Sequence, residues 1–134
     1  MIKNTLIAIL VIFLLGNLCR LGMPWWGIVP IAAATGWLFA TSGFQAFLSG
    51  FVAGSALWGI QAYLADTANH SELSSKIGQL FQGVSSAKLL LATTLMGGLL
   101  SAFGALTGRW LKDLFSKPKQ QDYYRRRRRG GKYR

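Results

Sequence analysis

A chain of 134 residues allows one domain, and with 14% charged against 51% hydrophobic residues it has too little charge to cover the surface of a water-soluble one. The net charge of +11 is concentrated at one end: residues 116–134 hold nine basic residues and one acid, whereas residues 1–115 hold six basic and three acidic ones. The single cysteine, Cys19, excludes a disulfide within the chain and any multi-thiolate metal site.

Lys3 and Arg20, Arg20 and Asp66, and Lys88 and Arg109 bracket runs of 16, 45 and 20 residues that carry no Asp, Glu, Lys or Arg. A hydrocarbon core of about 30 Å takes about 20 apolar helical residues, so the long run holds two spans and each of the others one. The predicted fold is an all-α integral membrane protein with four transmembrane helices at about 4–21, 25–42, 44–65 and 86–109. They form a domain over residues 1–115, followed by a disordered basic tail over 116–134.

The first span, NTLIAILVIFLLGNLCRLG, has the basic n-region and apolar h-region of a signal peptide. No small-x-small triplet follows it, and Leu18 before Cys19 is too bulky for lipoprotein processing, so a retained helix is favoured over cleavage. RLGMPWW then reads as a turn at a bilayer face: Gly22 and Pro24 break the helix, Arg20 snorkels, and Trp25 and Trp26 suit the interface. The second span contains Pro30, near its first turn or slightly deeper, where it is able to tilt the helix. TSG at 41–43 is the turn signal between spans two and three.

The polar stretch ADTANHSELSSKIGQLFQGVSS places Leu73, Ile77, Leu80 and Phe81 on one face of a short helix over about 70–82. Asn69 and Glu72 resemble a capping box and Gly83 supplies a stop. Such a helix lies on the membrane surface or caps the bundle. The fourth span ends at Arg109 and Trp110, an interfacial pair. With four spans, twelve basic residues (Lys3, Arg109, Lys112 and nine in the tail) share one side against Arg20, Lys76 and Lys88 on the other. Positive charge is retained inside, so both termini are expected in the cytoplasm and the 66–86 loop outside.

Within lipid, helices associate through small residues that let backbones approach. Ala46, Gly50 and Gly54 recur every four residues in the third span; Gly97, Ser101 and Ala105 do so in the fourth, with Gly104 and Gly108 as a second row. Spans three and four are therefore expected to pack together, with Phe44, Phe47, Phe51, Trp58 and Phe103 around the contact. Gly36, between Ala32 and Ala40, offers span two a similar surface. The same rows are equally suited to dimerisation.

GFQAFLSGFVAGSALWGIQAYLADTANHSELSSKIGQLF and LLATTLMGGLLSAFGALTG, with PWW ahead of them, resemble a family of small, functionally uncharacterised membrane proteins of Bacteroidetes-type bacteria. The likeness covers about residues 24 to 108. It implies a four-helix layout in a bacterial inner membrane, brings no activity, and leaves the arginine tail outside.

Asp66 and His70, four residues apart, are weak candidates for a polar site if the third span continues through them. One imidazole and one carboxylate make at most half of a zinc site, so no metal or other cofactor is expected. Gln45 and Gln61 read as interfacial or interhelical hydrogen bonders, and Asn17 as a residue that pairs with another helix. There is no nucleophile elbow, HExxH or phosphate loop, so the chain reads as a non-enzyme. In the tail, Arg125, Arg126, Arg127, Arg128, Arg129 and Lys132 are expected to meet anionic lipid headgroups, with fixation of topology as a joint role. Nucleic acid ranks well behind as a partner for them. The leading expectation is an assembly or stabilising subunit with a membrane-protein partner or a second copy of itself; the alternative is a permease-like or channel-like oligomer.

Overall fold

The computed structural model describes residues 2–18, 22 and 24–116. The expected lipid-binding residues Arg125 to Arg129 and Lys132 lie outside the described residues, as do Cys19 and Arg20. Among the described residues every regular element is helical: α1 (Ile2–Leu18), a 3-10 turn (Trp25–Gly27), α2 (Ile28–Phe39), α3 (Gly43–Ala68), α4 (Glu72–Leu80) and α5 (Ser86–Phe115). Two of them, α3 and α5, are long and apolar enough to cross a membrane.

The observed ends differ from those expected for local reasons. Pro24 starts the 3-10 turn, Gly27 N–H donating to its carbonyl at 2.8 Å, and Pro30 falls at the third position of α2, where its missing N–H leaves no intrahelical bond unmade. The second helix is shorter than the expected 25–42, because Ala40 turns extended and Ser42, also extended, caps α3 by accepting from Gln45 N–H at 3.2 Å. At the other extreme α5 runs six residues past Arg109. Asp113 pairs with Arg109 one turn back at 2.7 Å, and Lys112 sits in the last turn where the helix dipole favours a cation. The expected capping box is not formed: Asn69 closes α3, and Ser71, in a left-handed conformation at φ 57°, precedes an α4 that spans 72–80 rather than 70–82. The stop at Gly83 is a left-handed one, at φ 85°.

The directions of the helices follow from their contacts. Thr5 and Gly16 of α1 meet Gln45 and Leu57 of α3, so these two run parallel. Gly43, Gly54 and Gly59 of α3 face Leu106, Gly97 and Thr94 of α5, which runs the other way. Val29 and Ala33 of α2 lie on Gly104 and Gly108, so α2 runs with α5. Around the bundle the order is α1, α3, α5, α2, and the closest association is between α3 and α5, followed by that between α2 and α5. The start of α1 and the end of α5 therefore lie at the same end.

Small residues fill the interior. Ala32, Ala46, Ala53, Ala102 and Ala105 are buried with Ile12, Ile28 and Leu57, while Leu10, Leu14, Leu38, Leu48, Leu91 and Phe103 face outward. A Cβ on Gly50 would sit 2.6 Å from the Ser101 carbonyl oxygen, and one on Gly54 would sit 2.5 Å from that of Gly97. Gly104 and Gly108 make a different contact from the one expected, meeting α2 at Val29 and Ala33, and Gly36 of α2 meets the Ala105 backbone in return. Each of these rows is thus occupied within one chain. Phe47 stacks on Phe51 and meets the edge of Phe103, and Trp58 covers Gly97, whereas Phe44 is 76% exposed and fills no interhelical space.

Several hydroxyls within the helices are satisfied locally. Thr35, Thr93, Thr94 and Thr107 each donate to the carbonyl four residues back, and Ser49 donates to the one three back. Ser55 and Ser101 Oγ are buried in the structure without a hydrogen-bond partner.

Candidate functional site

Polar side chains gather at the two ends of the bundle. At the end holding the start of α1 and the end of α5, Gln45 is buried and its Nε2 donates to Thr5 Oγ1 of α1 at 2.9 Å, while its Oε1 accepts from the Thr41 N–H at 3.1 Å and from the Thr41 hydroxyl. One side chain thus ties α1, the connecting turn and α3 together. Arg109 adds α5 to this end by donating from Nη1 to the Ala40 carbonyl at 3.4 Å. Asn17, expected to reach another helix, bonds instead to the Phe13 carbonyl of its own helix at 3.0 Å.

At the opposite end the organiser is Asp66, in the last turn of α3. Its Oδ2 accepts from Ser71 at 2.8 Å and from Ser86 at 3.2 Å, and its Oδ1 accepts from Ser74. Ser86 Oγ also lies 2.8 Å from Ser74 Oγ, so its single proton is shared between that hydroxyl and the carboxylate. One carboxylate thereby joins the end of α3, the start of α4 and the start of α5. The sequence pairs Asp66 with His70, but α3 stops at Ala68 and His70 turns left-handed at φ 50°. His70 is exposed and takes no part in these bonds. The serines were not singled out by spacing, because Ser71 and Ser74 lie past the end of α3, where its period no longer applies; the left-handed pair His70 and Ser71 reverses the chain and brings them back.

Beside this knot lies an apolar groove of about 560 Å³ between α3, α4 and α5. Trp58, Ala62 and Ala65 line it from α3, Leu73 and Ile77 from α4, Leu89, Thr93, Met96 and Leu100 from α5, and Trp25 from the 3-10 turn. Of the apolar face expected for α4, Ile77 is half-buried and lines the groove with Leu73, which is itself largely exposed, as are Leu80 and Phe81. The space exists because Ala62, Ala65 and Ala92 are small where bulkier residues would fill it.

Among the described residues no three of His, Cys, Asp or Glu stand together to hold a metal ion. No family model, curated protein or solved structure matches the chain. The arrangement supports two kinds of chemistry: helix joining by a buried amide and a half-buried carboxylate, and reception of an apolar body in the groove.

Proposed function

We propose that the chain is a non-enzymatic, four-span protein of a bacterial inner membrane, of the kind its loop and last helix resemble, acting as an assembly or stabilising subunit of the envelope. The observation that carries this reading is the inversion of the bundle, with alanine and glycine inside and leucine and phenylalanine outside. Water would penalise such a surface, whereas lipid matches it.

Alternating directions support four crossings. α1 and α3 run one way and α2 and α5 the other, as consecutive spans must. By helical rise α3 and α5 are about 39 and 45 Å long, α1 about 26 Å, and α2 with its preceding turn about 24 Å, so the short pair calls for local thinning or interfacial anchoring at Trp25 and Trp26. On this reading both termini are cytoplasmic and the tail meets anionic headgroups. A periplasm-active reporter should be inactive after Arg134 and active when inserted at Ser75; the reverse pattern would invert the topology.

Backbone-to-backbone contact of α5 with α2 and α3 closes the centre of the bundle, which favours a scaffold over a pore within one chain. Purified from native membranes, the full chain should carry one membrane-protein partner in fixed stoichiometry. A partner-free oligomer that conducts ions after reconstitution would replace this reading by the channel-like one.

A further inference from the structure

The groove and the Asp66 knot meet at one end of the bundle, and together they have the form of a site for an amphiphile. Asp66 and Ser74 belong both to the knot and to the groove lining, and Asn69 joins them there. From this polar mouth the groove descends past Leu89 and Thr93 to Trp58, Met96 and Leu100. Along α5 the eleven steps from Leu89 to Leu100 cover roughly 16 Å, the length of a long stretch of one acyl chain. Its volume lies within the range of sites that enclose small ligands.

The mouth also specifies a head. A carboxylate offers about four acceptor positions; Ser71 and Ser74 take one each and Ser86, whose single proton is divided between Oδ2 and Ser74 Oγ, takes at most a third position, which leaves at least one on a side chain held in place by those bonds. A negative acceptor with one remaining position suits an N–H of a protonated amine. Lys88, exposed in the first turn of α5 at the same end, offers a cation to a neighbouring phosphate. We propose that this groove is a lipid site, which holds one acyl chain of a primary-amine-headed phospholipid while the ammonium donates to Asp66.

The proposal rests on the membrane reading above and makes a sharper demand. A choline head carries the same charge but no N–H, so it enters the groove without completing the carboxylate. In detergent micelles containing equal amounts of ethanolamine-headed and choline-headed phospholipids of identical chains, native mass spectrometry of the full chain should find one bound lipid. The ethanolamine form should be favoured about tenfold, as expected for one charge-assisted hydrogen bond. Asp66→Asn should keep the bound lipid and lose the preference. Lys76→Gln, at an exposed position of α4 outside the groove lining, should retain it. Ala62→Phe, which fills the groove, should remove the one-to-one lipid of either kind.

Equal occupancy by the two lipids in the unaltered chain would overturn the site, as would a preference that survives Asp66→Asn or is lost in Lys76→Gln. If Asp66→Asn does not fold, as judged by loss of helicity, the Ala62→Phe and Lys76→Gln results decide alone. Failure of the membrane reading itself would be visible beforehand, as a chain that stays helical and monodisperse in buffer without detergent.

Discussion

Gly54→Leu is expected to force α3 away from α5 and to destabilise the bundle strongly. Its new Cβ would meet the Gly97 carbonyl oxygen and Ser101 Cβ, each at 2.5 Å. One obstacle is backbone, and the other lies on a residue that is itself fully buried, so neither yields by a change of rotamer. Overpacking of a filled interior costs about 1 to 3 kcal/mol, and a leucine against a carbonyl belongs at or above the top of that range. Nothing offsets the loss, because in lipid the exposed faces of separated helices are as well solvated as the packed ones. Gly50→Leu should behave alike, with Ser101 and Ala102 backbone atoms at 2.6 and 2.8 Å. Gly43→Ala is the contrasting case, since its Cβ meets the flexible tip of Leu106 at 3.3 Å and should change stability by less than about 0.5 kcal/mol. Denaturation by sodium dodecyl sulfate in mixed micelles, followed by far-ultraviolet circular dichroism, measures all three. Similar midpoints for Gly54→Leu and Gly43→Ala would mean that close backbone approach is not what holds the helices.

The small-residue rows were legible because a four-residue spacing on a helix marks a groove whatever fills it. Which helix fills it was not. Gly104 and Gly108 receive α2, and nothing in their own spacing distinguishes α2 from α3; the choice depends on Ala40 and Ser42 turning extended and returning the chain on the other side of α5. Gln45 could be read as an interhelical donor from its place at a span end, yet its partner Thr5 lies forty residues away and carries no signal. The groove was illegible for a related reason, since Ala62, Ala65 and Ala92 look like packing residues until their facing positions are known. The end of α5 was misread from hydropathy alone: charge closes the apolar run at Arg109, but the Arg109 to Asp113 pair continues the helix.

Replacing Arg125 to Arg129 together by glutamine is expected to weaken attachment to anionic bilayers more than any change in the helical body. Each juxtamembrane arginine contributes about 1 kcal/mol near such a surface, so five removed charges amount to roughly 5 kcal/mol, or about three and a half orders of magnitude in apparent affinity at low ionic strength. The difference should shrink as salt rises, because at about 0.15 M the Debye length falls to about 8 Å. With the full chain held in zwitterionic nanodiscs, flotation with anionic vesicles reports the effect, and Lys76→Gln serves as the control. Lys76 belongs to the opposite end of the bundle, already has Glu72 at 4.0 Å, and should leave flotation unchanged. Equal losses for the two variants would show that total charge, rather than the tail, drives attachment. If the arginine variant still floats with anionic vesicles but no longer retains a labelled single-stranded RNA that the unaltered chain binds, the tail belongs to nucleic acid. The salt series separates these cases further, since release of condensed counterions gives binding to RNA a steep, linear dependence on the logarithm of salt concentration.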